Sequence, residues 1–227
     1  RIDNSPSFNL LDAKGKTRVS LRLWNDDSPS LNFLDESSNT RSTLRLWADG
    51  SASLNFLDQA GNLAVELGPG NFGLPTLALS DKNGKVRGRL QISENGLPAL
   101  SLNDQHGFAR AQLSLDAQSN PALKLFDQNR AVRSLMEISQ TGAPQMSLLD
   151  NSGQVRSVFK LWEEDDAPAL ALFDESGVPR ASLGTTILNE DQAESIERTS
   201  EAALFLFDGA GKIVWSKKET VSAEKQE

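Results

Sequence analysis

Leucine and phenylalanine alternate with small or polar residues in short runs along the whole chain. Leu31 and Phe33 form one such run, and Leu44 and Leu46 form the next, with Ser, Ala, Asn or charged residues between the apolar positions. Successive side chains of a β-strand point to opposite faces, so a period of two predicts strands with one leucine-rich face and one polar face. We therefore predict a sheet in which the leucine-rich face is buried.

The runs belong to a unit that recurs along the chain and reads P-x-L-x-L-x-D-x-x-G-x-x-R-x-x-L-x-L. The first seven copies of its Asp are spaced 23 residues apart, and the last two follow after 24 and 34 residues. The nine positions are Asp12, Asp35, Asp58, Asp81, Asp104, Asp127, Asp150, Asp174 and Asp208. A fixed period of this length is typical of repeat architectures, and two strands per unit predict about 18 strands.

The segment from Asp to Gly within each unit has the composition of a tight hairpin turn, as in Asp81 to Gly84. An Asp carboxylate accepts hydrogen bonds from nearby backbone N–H groups, and Gly adopts the positive φ that closes a short loop. An Arg follows the Asp by six residues in most units, for example Arg87 after Asp81. We expect each Asp and Arg to pair across their hairpin.

These features predict an all-β fold of tandem 23-residue hairpins in an antiparallel meander, either flattened and closed or superhelically curved. A parallel β-solenoid is the alternative, because a rung of this length suits it as well. In a solenoid, equivalent Asp and Arg residues would stack about 4.8 Å apart in like-charge rows. Electrostatic repulsion therefore favours the meander, whose apolar face we expect to close as two packed layers of leucines.

Residues 1–216 are predicted to form a single repeat domain of nine hairpin units, with an insertion near 184–200 and a frayed polar C-terminal tail over 217–227. The insertion is predicted to be a loop or a short helix. Gly68-Pro69-Gly70 stands in the second strand of the third unit, where Ala64 also replaces the Arg. Proline does not donate to a ladder, so we expect an interruption there, at a bend, an edge or a seam.

Composition excludes several classes of chemistry. The 227 residues include no Cys and one His, His106, which excludes cysteine nucleophiles and cysteine-bound metal and leaves little for His-based catalysis. The net charge of −8 argues against nucleic acid as a partner, and no apolar stretch is long enough to span a bilayer. The same Asp–Arg pair, repeated in most units, differs from the single dissimilar constellation of an active site. We expect no enzyme, no cofactor and no metal site.

Trp24, Trp47 and Trp162 occupy one shared position, twelve residues after the Asp of their units. Aromatic side chains at a shared rim position are suited to stacking on a sugar or anchoring a partner. The structural interpretation is that they cover the open end of the leucine layer. The acidic links at 25–27 and 163–166 match no calcium-binding motif and are predicted to be solvated turns.

The motif L-x-L-x-D-x-x-G-x-x-R resembles the tandem β-hairpin repeats of uncharacterised bacterial proteins. In those proteins the repeats follow an N-terminal signal or anchor and close on a segment similar to 206–215. The resemblance covers Pro6 to Trp215. The unit is also loosely similar to YD/RHS and MORN hairpin repeats, although it lacks their diagnostic Tyr-Asp and Gly-Trp/Tyr patterns.

The resemblance implies a bacterial protein of the extracytoplasmic envelope or cell surface. The chain begins with Arg1, so we expect a processed, truncated or partial product, and any signal or anchor would lie upstream. We expect a non-catalytic structural or interaction module that binds a protein partner or self-assembles. The alternative is a carbohydrate- or surface-binding module that uses the rim of Trp24, Trp47 and Trp162.

Overall fold

A computed structural model describes residues 6–70, 73–185, 187–189, 196–198 and 203–218, and this part of the chain is all-β. Contacts divide the chain into two compact units, Arg1–Ala117 (unit 1) and Gln118–Glu227 (unit 2). The described part of each unit consists of strands joined by short turns, as the alternating pattern predicts.

Unit 1 contains ten strands, and each pairs antiparallel with the next along the chain. They are β1 (Ser7–Leu11), β2 (Thr17–Leu23), β3 (Pro29–Leu34), β4 (Thr40–Leu46), β5 (Ala52–Leu57), β6 (Leu63–Pro69), β7 (Pro75–Ser80), β8 (Val86–Ile92), β9 (Pro98–Asn103) and β10 (Ala109–Leu115). The predicted meander is confirmed, and the parallel solenoid is excluded because neighbouring strands run in opposite directions. Within the described part of this unit the pairings leave the sheet open, so the predicted closure does not occur.

Unit 2 continues the same pattern with a second antiparallel meander. Its strands are β11 (Pro121–Phe126), β12 (Val132–Ile138), β13 (Pro144–Leu149), β14 (Val155–Leu161), β15 (Pro168–Phe173), β16 (Pro179–Gly184), β17 (Ile187–Asn189), β18 (Ile196–Arg198), β19 (Ala203–Phe207) and β20 (Ile213–Lys218). β16 pairs with β19, so the meander resumes after the insertion. In the described part of the insertion, β17 pairs antiparallel with β18. Residues 186, 190–195 and 199–202 lie outside the described residues, so the predicted loop or short helix stays a prediction. The predicted tail beyond Lys218 lies outside the described residues.

β6 runs through Gly68 and Pro69, so the strand itself continues where an interruption was predicted. Its ladder with β7 extends to the pair of Pro69 with Pro75, whereas its ladder with β5 ends at the pair of Leu67 with Leu54, so pairing stops at Gly68 on that side. Pro69 is tolerated because it stands at the end of the strand, where the ladder needs no further donor. Gly68 is required because a Cβ there would lie 2.9 Å from the Cβ of Ser53 on the neighbouring strand.

The burial of the two faces is the reverse of the prediction. Small side chains on the polar face are buried, among them Ser30, Ser53 and Ala78 in unit 1 and Ser147 in unit 2. Large leucine-rich side chains on the other face are about half exposed. The exposed fractions show that no second layer formed by the described residues covers the leucines. On the polar face, long side chains lie across the small ones, as Trp24 does over Ser30. The largest fully buried side chain is Phe205 of β19.

Candidate functional site

The recurring Asp residues organise the hairpin turns as predicted. In the turn at Asp150, the Oδ1 atom accepts hydrogen bonds from the backbone N–H groups of Ser152 at 2.8 Å and Gln154 at 3.0 Å. The residue three positions after the Asp has a positive φ in all nine turns, between 65° and 87°. This residue is Gly in seven turns, and Ser38 and Arg130 adopt the same conformation in the other two. The position needs a left-handed backbone, which Gly adopts without strain.

Seven of the nine recurring Asp residues also pair with the Arg six residues later, which confirms the predicted ion pairs; the other two are followed at that position by Ala64 and Val214. Seven such pairs have nitrogen–oxygen distances between 2.5 and 3.7 Å. Several of these Arg residues reach further, into the following repeat. The Nε atom of Arg18 donates to the carbonyl of Leu34 at 3.1 Å, and that of Arg133 donates to the carbonyl of Leu149 at 2.8 Å. The Arg side chains therefore tie consecutive repeats together.

Hydrogen bonding keeps the turn carboxylates ionised. The Ser152 hydroxyl, followed by the backbone N–H groups of Gln154 and Ser152, lowers the pKa of Asp150 to about 2, although burial opposes the shift. The backbone N–H of Lys16 is the largest cause that lowers the pKa of Asp12 below its ordinary value. These carboxylates are acceptors in turns, which supports the structural interpretation of the repeated pairs.

One face of each unit carries large apolar side chains that contact neighbouring strands of their own sheet and are otherwise exposed. In unit 1 we define the leucine face by fourteen side chains that are 41–67% exposed: Phe8, Leu10, Leu21, Leu23, Phe33, Leu44, Leu46, Phe56, Leu67, Leu79, Leu90, Leu100, Leu102 and Leu113. In unit 2 the corresponding face has eleven side chains that are 37–54% exposed: Leu123, Leu125, Met136, Met146, Leu148, Phe159, Leu172, Leu183, Leu204, Leu206 and Trp215.

The leucine face of unit 1 is free of charge and large. The register places no Asp, Glu, Lys or Arg on this face between the hairpin turns of the described part of unit 1. A buried Leu or Phe side chain removes about 100 Å² from water, so fourteen half-exposed ones leave roughly 700 Å² exposed. Apolar patches above a few hundred Å² on soluble proteins mark interaction surfaces.

The opposite face of unit 1 carries a stack of alternating arginines and tryptophans, which we call the Arg–Trp ladder: Arg22, Trp24, Arg45 and Trp47. The guanidinium carbon of Arg22 lies 4.4 Å from the centroid of Trp24, and that of Arg45 lies 4.8 Å from Trp24 and 4.1 Å from Trp47. These distances are typical of cation–π contacts.

The indole N–H groups of the ladder bond to buried hydroxyls beneath them. Trp24 donates to the Oγ atom of Ser30 and Trp47 to that of Ser53, both at 3.0 Å. The indoles thus cover the small residues of the polar face, and the expectation that they close the leucine layer is wrong. Trp162 of unit 2 is also packed: its Nε1 donates to the carbonyl of Thr185, and the Lys160 Nζ lies 3.4 Å from its ring centroid.

The Arg–Trp ladder has a signal in the sequence that the positions of the tryptophans alone do not show. The tripeptide Arg-Leu-Trp occurs at 22–24 and 45–47, and Lys-Leu-Trp occurs at 160–162. Residues two apart on a strand share a face, so a cation two positions before Trp predicts the stacking.

The ladder ends after Trp47 because the third unit places Gly68 and Gly70 at the corresponding positions. Trp47 is 41% exposed and lines a cavity of about 510 Å³ together with Asp49, Ser53 and Glu66.

A second cavity, of about 610 Å³, shares Glu66 and is lined by Thr76, Arg89 and Gln91. Within the described residues, the buried Nε of Arg89 has no hydrogen-bond partner. The cavities combine an aromatic ring with carboxylate, amide and guanidinium groups.

The acidic link at 25–27 satisfies its own turn. Asp26 accepts from the backbone N–H and hydroxyl of Ser28 and pairs with Arg45 at 3.2 Å. No group of three potential metal ligands occurs in the ranges that the structure describes. His106 is exposed in a turn, where its backbone N–H donates to the Oδ1 atom of Asp104 at 2.8 Å. Among the described segments, none is a helix of the length and apolar character needed to cross a membrane.

Comparisons with known proteins add little. No family model and no curated protein matches the sequence. The chain is similar to the crystal structure of TcdB2-TccC3-Cdc42, with 10% identity and a TM-score of 0.20, over 92% of this chain but only 15% of that one. It is also similar to a porin-like protein from Bacteroides uniformis, with 10% identity and a TM-score of 0.20, over 85% of this chain and 93% of that one. Similarities this low carry no argument, and the class defined by the fold is that of tandem antiparallel β-hairpin repeats.

Proposed function

We propose that this protein is a non-catalytic interaction module, a scaffold in a bacterial envelope or another multiprotein assembly. The observation that carries the proposal is the charge-free leucine face, which a protein active only as a monomer in water has no reason to maintain across ten strands. The sequence resemblance to bacterial hairpin-repeat proteins supports the extracytoplasmic location.

The turn chemistry supports the non-catalytic part of the proposal. The same kind of Asp–Arg pair recurs in seven turns, and the carboxylate is also engaged by the backbone of its own turn, as at Asp150. An active site needs one dissimilar set of groups around a reacting atom.

A photo-crosslinking amino acid placed on each face tests the proposal in cells that carry the native gene. Leu90 lies on the leucine face and is 48% exposed, and Gln91 is its neighbour on the polar face. We expect the probe at position 90 to form a discrete adduct and the probe at position 91 to form none of the same mass. Equal labelling from both positions would refute the leucine face as an interaction surface.

Carbohydrate binding is a second candidate, supported by the cavity beside Trp47. An exposed indole next to carboxylate and hydroxyl groups is suited to a sugar ring, which offers an apolar face and hydroxyls. A glycan array probed with the wild-type chain and with Trp47→Ala tests this function. Trp215→Ala is the control, because Trp215 lies on the leucine-rich face of unit 2, away from the cavity beside Trp47. Binding that is lost in Trp47→Ala but kept in Trp215→Ala, with both variants still folded by circular dichroism, supports this function. Absence of binding by the wild-type chain excludes it.

A further inference from the structure

We propose that the leucine face of unit 1 packs against the same face of a second copy of this chain. The inference rests on the proposed function, because it names the partner of the interaction surface described above.

The area of the leucine face fits this partner. The fourteen half-exposed side chains supply roughly 700 Å², and half-buried ones between them, such as Leu31 and Leu54, bring the face to about the 800 Å² per partner of a stable interface. The face is continuous across consecutive strands, so a second copy covers it without unpaired gaps.

The geometry of the face also favours a copy of itself. Two sheets pack face to face about 10 Å apart when the side chains of both inner faces are apolar and interdigitate. A second leucine face has the same pleat and the same repeat spacing, so ridges of one copy meet grooves of the other. The outer face of each copy is then the polar face, where the Arg–Trp ladder already satisfies its hydroxyl and indole groups.

Charge is kept away from the centre of the proposed interface. Two copies of net charge −8 repel each other, but the recurring Asp and Arg residues are paired at the hairpin turns, along the margins of the leucine face, where water and salt screen the repulsion. The segment 219–227 is mostly charged or polar, as are residues 190–202, so neither matches the leucine face in composition.

Sedimentation equilibrium of the purified chain over the nanomolar to micromolar range tests the proposal. We expect twice the chain mass for the wild type. The variant Leu44→Lys with Leu90→Lys should associate at least ~100-fold more weakly, because a buried unpaired charge is strongly unfavourable. The matched control, Thr43→Lys with Gln91→Lys, places the same charges on the polar face of the same strands and should remain dimeric. Circular dichroism checks folding, and Leu44→Gln with Leu90→Gln is a milder replacement if the lysine variant unfolds.

A wild-type monomer at all concentrations overturns the proposal, and so does equal weakening by the two lysine variants. Co-flotation of a wild-type monomer with phosphatidylcholine vesicles, lost in the leucine-face variant, would assign the face to lipid instead. The crosslinking probe at position 90 distinguishes failure of the self-pairing proposal from failure of the proposed interaction module. An adduct with a different protein ends the self-pairing proposal and leaves the interaction module intact, whereas no specific adduct ends both.

Discussion

Arg45 is the centre of the Arg–Trp ladder, and its removal gives a sharp test of how the polar face is stabilised. Arg45→Met keeps the aliphatic stem and removes the guanidinium. Two indole contacts are lost, each worth about 0.5–1 kcal/mol, together with the hydrogen bond to the Ser28 hydroxyl at 2.9 Å. The Arg45 side chain is only 19% exposed, so these contacts are poorly screened. We expect a loss of about 2 kcal/mol in the free energy of unfolding.

Equilibrium unfolding in urea, followed by circular dichroism, measures the loss. Arg89→Met is the matched control on the same face, because within the described residues no ring stack or ion pair is seen for Arg89. Its effect should stay within about 0.5 kcal/mol. A double-mutant cycle of Arg45→Met with Trp47→Leu should give a coupling energy of about 0.5–1 kcal/mol. If Arg45→Met costs no more than Arg89→Met, the ladder does not stabilise the fold and its tryptophans are available for a ligand.

Three other perturbations test the turns and the core. Ser38→Gly should stabilise the protein by about 0.5–1 kcal/mol, because Ser38 has a left-handed backbone that Gly adopts without strain. Gly61→Ser, at the same position of the next repeat, should destabilise the protein by a similar amount. Urea midpoints of the two variants that shift in the same direction would contradict this. Asp150 has a lowered pKa, so its stabilising effect is full above about pH 4 and is lost as the pH falls towards 2. Unfolding measured across that range should depend less steeply on pH in Asp150→Asn, and an unchanged slope would count against the Asp150 network. Phe205→Ala should cost about 3–5 kcal/mol in thermal or urea unfolding, because Phe205 is fully buried, and a loss below 1 kcal/mol would show that its site collapses.

The hairpins and their turns could be predicted from the sequence because they depend on local chemistry. Asp81 and Gly84 lie within one turn, and the carboxylate needs only the N–H groups of Asn83 and Lys85 to act. The ion pair to Arg87 followed from the same turn, because both residues flank it. Antiparallel pairing followed from the charge pattern.

The burial of the two faces could not be predicted from the pattern alone. Alternation shows that Leu44 and Thr43 lie on opposite faces, but it does not show whether another layer covers either one. The expectation of paired leucine layers assumed that the chain covers its own apolar face, and the structure leaves that face exposed. Pro69 was expected to interrupt its strand, but β6 extends through it, because a proline is compatible with a central strand at its last residue.

The contact from Arg18 to the carbonyl of Leu34, and that from Arg87 to Asn103, cross from one 23-residue copy into the next. In these copies the Arg side chain donates to a backbone carbonyl of the following copy. A gene duplication or deletion that adds or removes one whole 23-residue copy restores this contact at the new junction. An insertion or deletion of part of a copy instead leaves an arginine without its carbonyl partner. We therefore expect related arrays to differ in length by whole numbers of repeats.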